Sequence, residues 1–245
     1  MKKGTILITM GLLLITAAFC LVGYNYYESY KAGQASESIL SELEEAIAAG
    51  ETEASSGDGA GSSDGEASDE SETSEQEGAA TAENGRSASD SASGSASNQD
   101  GVNLGELYPD RDMPQVFVNN IGYAGYIFIP SLSLRLPVQN DWVYDLLTIS
   151  PARYSGSVYQ NNLVIGGHSY ITHFRGLRGI APGSKVIFYD AEGFSYEYEV
   201  SYVMSLNPDQ GAVLLDEQSE DWDLTLFTCN TGGQTRCIVR CAAVE

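Results

Sequence analysis

An apolar run from Thr5 to Gly23 follows Lys2 and Lys3 and ends in four closely spaced tyrosines, Tyr24, Tyr26, Tyr27 and Tyr30. About 19 apolar residues in a helix cross a hydrocarbon core of about 30 Å. Tyrosines suit the membrane–water interface, and the lysines mark the cytoplasmic side. The rival reading is a cleaved signal peptide. Ala17 and Ala18 lie too deep in the run for a clean cleavage site, and no convincing A-x-A site follows it. Residues 1–27 are therefore read as a cytoplasmic tip and a retained transmembrane anchor, with the rest of the chain on the oxidising side.

The pattern then changes twice. In residues 28–49, Ile39, Leu40, Leu43 and Ile47 recur at helical spacing, which predicts a charged juxtamembrane helix. Residues 50–103 consist almost wholly of Gly, Ser, Ala, Asp, Glu, Thr, Gln and Asn. Such a segment cannot bury enough apolar surface to offset its chain entropy, so it is read as an acidic, disordered tether. Residues 104–245 form the remaining domain. From Val116 onward, "YIFIP", "LSLRLPV", "NLVIGG", "KVIFYD", "FSYEYEVSYVMSL", "DLTLFTC" and "RCIVRC" are short, alternating and rich in β-branched or aromatic residues. Gly, Pro, Asn and Asp separate them. The pattern predicts an all-β, antiparallel barrel or sandwich. "DWVYDLLTIS" and "SYITHFRGL" are read as single helical turns.

Charge narrows the function. The net charge is -22 and the pI about 4.2, which excludes the basic surface a nucleic-acid binder needs. Of the 34 acidic residues, 21 lie in residues 28–115 and 13 in 116–245, so the β domain is only mildly acidic.

The chemistry concentrates in "DLTLFTCNTGGQTRCIVRC", residues 223–241. Its cysteines lack the paired spacing of a zinc site, and no metal ligand set is read. Cys237 and Cys241 lie about 13 Å apart along one strand, too far to bridge. They share parity with Val239, so all three are read as interior residues. Cys229 ends its strand before the turn "NTGGQT", and a hairpin would return Arg236 beside it. A guanidinium favours a thiolate and offers donors to an oxyanion. A surface arginine beside a half-buried cysteine explains this segment equally well.

Histidine decides between these readings. The chain has two, His168 and His173. His168 follows the apolar strand and glycine pair of "NLVIGGHSY". An imidazole there could serve a cysteine nucleophile as proton carrier. His173, in the next turn, is read as structural.

Together these residues resemble the sortases, membrane-anchored cysteine transpeptidases of Gram-positive surfaces. "LTLFTC" matches the family's T-L-x-T-C motif, and "TRCIVRC" resembles the strand bearing its arginine. "NNLVIGGHSYITHFRGL" resembles the histidine segment, and "GYIFIPSLSLRLPVQND" the opening strands. The similarity runs over residues 122–244. It shows neither the D-P-aromatic lid motif of pilin-polymerising members nor the long helical insertion of class B, so the class stays open. The resemblance implies an eight-stranded closed β-barrel. It also implies Cys229 as nucleophile, His168 as general acid/base, Arg236 at the oxyanion and Thr228 framing the site. Arg240 competes with Arg236, which is preferred because it begins the returning strand.

The implied reaction cleaves an L-P-x-T-G-like sorting signal on a surface protein and transfers the acyl group to an amine. The amine would come from a peptidoglycan precursor or a pilin. No cofactor is assigned; some related enzymes need calcium, and this sequence gives it no site. A cysteine protease and a non-catalytic peptide-binding β domain are the alternatives.

Overall fold

The computed structural model describes residues 2–50, 111–215, 222–230 and 232–244. Apart from Gly50, the segment 50–103 read as a tether lies outside them, as do residues 104–110. The described chain forms one long helix, α1 (Lys2–Ala49), and nine strands. These are β1 (Val116–Val118), β2 (Ile121–Ile129), β3 (Leu134–Gln139), β4 (Ala152–Ser155), β5 (Leu163–Gly167), β6 (Lys185–Asp190), β7 (Ser195–Leu206), β8 (Leu224–Cys229) and β9 (Arg236–Ala243).

The strand order is β1-β2-β3-β4-β5-β8-β9-β7-β6, with β6 pairing back onto β2. Eight strands therefore close a ring, as the resemblance implies, and β1 is an addition outside it. The closure depends on β2. Val116–Val118 pair with Ile121–Tyr123, while β6 pairs with Gly125–Phe128 on the same strand. A register shift separates Tyr123 from Gly125 in the β2–β3 ladder. Gly125 has φ +143°, and a Cβ there would lie 1.9 Å from Tyr189 O. Only glycine lets β6 come this close at the bulge.

The barrel is not wholly antiparallel. β5 and β8 run parallel, as do β3 and β4 at one pair. "LVIGG" is buried at all five positions and "LTLFTC" at its first five. A parallel pair covered on both faces favours such continuous apolar runs over alternation. The interior holds Ile127, Ile165, Phe188, Leu224, Leu226 and Val239, with Cys237 and Cys241 among them. The two expected helical turns are 3-10 turns, Tyr144–Thr148 and Phe174–Gly179.

Helix α1 runs unbroken through both the anchor and the juxtamembrane segment. Its first half is apolar and exposed, with Leu7, Leu14 and Val22 all more than 60% accessible, and it is long enough to cross a membrane. Its second half buries Ile39 and Leu43 against Val116, Val118, Tyr123 and Ala191. The region predicted as a charged helix thus has one face packed on the barrel.

Candidate active site

Strand register assembles the site. On β5 and β8, Gly167 is the Cα partner of Thr228. His168 and Cys229 therefore emerge one residue further along, at adjoining ends of parallel strands. The buried Thr228 Oγ1 donates to Gly167 O at 2.8 Å and ties these ends together. Thr228 thus supports the site from beneath.

His168 is half-buried between Tyr144, edge-on at 5.6 Å between ring centroids, and Tyr170, tilted at 5.1 Å. Burial lowers its pKa below the usual 6.5, which favours a neutral imidazole at pH 7. Cys229 and His168 face one cavity of about 500 Å³, together with Tyr170, Arg175, Arg178 and Asn230. The opposite side of this cavity is α1, through Val22, Asn25, Tyr26 and Ser29.

The arginines separate into three roles. Arg236 is the Cα partner of Cys229 across the β8–β9 hairpin. Its guanidinium donates to Gly233 O at 3.0 Å, and the residue also lines a second cavity of about 170 Å³ with Trp142, Tyr154, Leu206, Leu214 and Phe227. The backbone therefore brings Arg236 to Cys229, while its head group is held by the turn. Arg178, from the turn Phe174–Gly179, reaches the backbone of Cys229. Its Nη2 donates to Cys229 O at 2.8 Å and also to Ser169 Oγ. Arg240 is buried at the far end of the hairpin, opposite Thr225. It donates to Thr225 Oγ1, Val213 O and Leu214 O, and its guanidinium lies 3.9 Å above the Trp222 ring. Arg240 borders neither cavity and fastens the 213–214 turn to the barrel.

Cys237 and Cys241 are buried thiols. Burial raises both pKa values, that of Cys241 to about 12. His173 is also buried. Its Nε2 lies 3.1 Å from Ser36 Oγ of α1, and Ser36 donates its hydroxyl proton to Ile149 O. Ser36 therefore accepts from Nε2–H, and Nδ1 is left without a partner. Burial pushes the His173 pKa down to about 4.

Sequence reading missed Arg178, Tyr144, Tyr170 and the α1 wall. The only local signal was Arg175 and Arg178, three residues apart, one inside the histidine segment and one just after it. Nothing local pointed to α1.

Residues 127–244 match the family model of the sortase domain, and this part of the chain belongs to the sortase family. Sortase A of Staphylococcus aureus is 27% identical over 124 residues, covering 48% of this chain and 60% of that protein. The chain thus spans less than two thirds of this relative's length. Sortase A from Corynebacterium diphtheriae aligns over 61% of this chain and 72% of its own at 22% identity and TM-score 0.46. A sortase D5 transpeptidase from Clostridium perfringens aligns over 50% and 79% at 18% identity and TM-score 0.44.

Proposed function

We propose that this protein is a cysteine transpeptidase that cleaves an L-P-x-T-G-like sorting signal and transfers the new acyl end to an amine. The observation that carries the reading is the β5–β8 register, which sets His168 beside Cys229 at the mouth of one cavity. Neutral His168 takes the thiol proton as the Cys229 sulfur attacks the threonine carbonyl. Collapse of the tetrahedral intermediate breaks the C–N bond, and His168 returns the proton to the leaving glycine amine. An incoming amine then attacks the thioester. His168 takes its proton and passes it to the departing thiolate, and the new amide leaves.

Arg236 stabilises the oxyanion by swinging from Gly233 O toward the substrate. Trp142, Tyr154 and Phe227 beside it accept an apolar side chain upstream of the scissile bond. Arg178 holds the carbonyl of Cys229 and so fixes the direction of its thiol. With Lys2 and Lys3 inside, the domain lies outside the cell, where surface proteins and wall precursors or pilins meet it. Protease added to intact cells then removes the C-terminal domain; its protection contradicts this topology.

The chemical test is the full chain in detergent with L-P-x-T-G-like peptides and a panel of amines, read by mass spectrometry. The expected product joins the peptide's threonine to the added amine. Hydrolysis alone, whatever the amine, means a protease. Binding without turnover means a peptide-recognition domain.

A further inference from the structure

The turn after His168 carries an arginine that the acyl half-reaction does not use. Phe174 and Leu177 of the turn Phe174–Gly179 are fully buried and lock it onto the barrel. Arg175 and Arg178 stand three residues apart, which in a 3-10 turn puts both on one face. Both line the cavity that holds Cys229 and His168. Arg178 is taken up by Cys229 O and Ser169 Oγ.

Arg175 is exposed and uncommitted. The other basic side chains of the barrel are engaged. Arg111, Arg135 and Lys185 pair with glutamates, and Arg153, Arg236 and Arg240 donate to carbonyls. Arg175 has no such partner among the described residues. Nor does an aspartate or glutamate line its cavity among them. In a chain of net charge -22 this is a cationic pocket, and its open guanidinium is a fork that fits a carboxylate.

Proton transfer decides which partner meets Arg175. His168 gives a proton to the leaving amine and takes one from the entering amine, so both amines stand on its side of Cys229. That side is the Arg175 cavity, whereas the aromatic cavity serves the acyl chain.

We infer that Arg175 is a specificity residue for the acceptor and selects an amine whose molecule also carries a carboxylate. The carboxylate docks on the guanidinium and holds the amine toward the thioester carbonyl. The N–C bond forms and the C–S bond breaks, while the amine proton passes through His168 to the departing Cys229 thiolate. The acceptor class is thus an amino acid or short peptide with a free carboxylate near its amine, rather than a lysine side chain on a folded protein. This inference rests on the transpeptidase reading.

The test acylates the full chain, in nonionic detergent, with a sorting-signal peptide whose C-terminus is amidated. Glycine, diglycine and triglycine are offered as acceptors, each beside its own C-terminal amide, and the products are quantified by mass spectrometry. The readout is the acid-to-amide product ratio in the native chain divided by that in a variant, which cancels the basicities of the amines. At the length that best spans the cavity, Arg175→Gln lowers the ratio about fivefold, the upper range for an exposed charge pair. Arg175→Glu lowers it further, and thioester formation is unchanged in both. Added salt shrinks the native preference. The same ratio in the native chain and Arg175→Gln at every length overturns the inference. An equal loss on acid and amide does so too, because it makes Arg175 structural.

A second measurement does not need turnover. The chain has only two histidines, so isotope-labelled imidazole signals of a Cys229→Ala chain are few and are assigned with His168→Gln. The His168 signal shifts at lower concentrations of the acid than of the amide, and Arg175→Gln removes the difference. Equal shifts from acid and amide sink the site. If no amine is acylated while the acid-selective shift and its loss in Arg175→Gln hold, the transpeptidase reading fails and the carboxylate site stands.

Discussion

The β8–β9 hairpin carries two cysteine–arginine neighbourhoods, and their fates are opposite. At its turn end Cys229 faces Arg236 across the ladder, beside a cavity shared with His168. At its far end Cys241 and Arg240 face Leu224 and Thr225. There the thiol is fully buried and its pKa is pushed up to about 12, and the guanidinium is spent on Thr225, backbone carbonyls and Trp222. The residue types are the same. What differs is access and the neighbouring residues, since only the turn end has a histidine beside it. Position in the hairpin sets each thiol's surroundings, and a buried thiol in an apolar interior is held in its inert form.

The comparison can be broken by substitution, and the largest effect belongs to the thiols. Cys229→Ala abolishes thioacyl formation in a folded domain. Cys241→Ala keeps turnover and loses about 1 kcal/mol of stability, from a small cavity in the core. Turnover by Cys229→Ala would show that the turn end holds no nucleophile.

The arginines come next. Arg236→Lys keeps the charge but loses the planar fork, and kcat/KM falls about 100- to 1000-fold with an unchanged melting temperature. Arg240→Ala does the reverse. It leaves Thr225 and two carbonyls without a donor and costs about 3 kcal/mol in chemical denaturation, while the surviving folded protein keeps its activity. If Arg240→Lys destroys activity and Arg236→Lys is silent, the two roles must be exchanged.

Arg178→Ala has a smaller effect. Releasing the carbonyl of Cys229 loosens the aim of the thiol and lowers kcat about tenfold, with little change in KM. A pure KM effect would instead make Arg178 a substrate-binding residue.

The smallest effect concerns the other histidine. His173 is neutral when folded, with a pKa depressed from 6.5 to about 4. Between these values the unfolded chain holds a proton that the folded chain does not. Its contribution is fully present above pH 6.5 and is lost as pH falls toward 4, by roughly 3 kcal/mol at most. Asp190 acts the other way, because burial raises its pKa to about 6 and acidification from there toward 3.8 favours the fold. The test is therefore the difference between the native chain and His173→Gln. The variant should lose less stability between pH 7 and 4.5. Identical pH slopes would show that His173 is not the group titrating.

Much of this was legible in the sequence. The strand segments, the inward parity of Cys237, Val239 and Cys241, and the apolar N-terminal run all follow from local patterning. The motif segments around Cys229 and His168 identified the family. The unread parts depend on contacts that periodicity does not encode. Arg178 meets Cys229 across 51 residues, and Ser36 meets His173 across 137. The α1 seam was also disguised by its composition. Ser29, Ala32 and Ser36 pack because they are small and their hydroxyls or carbonyls find partners, so no aliphatic stripe announces them. The parallel β5–β8 pair was hidden in the same way, since runs buried on both faces do not specify strand direction.

The most direct test of Cys229 as the nucleophile is to trap the acyl enzyme. The full chain is mixed with a sorting-signal peptide without added amine, quenched in acid within the first turnover, digested and mapped by mass spectrometry. One thioester is expected, on the peptide containing Cys229, and it disappears in His168→Ala over the same interval. An adduct on Cys237 or Cys241 in the folded protein, or equal acylation with His168 removed, would contradict it.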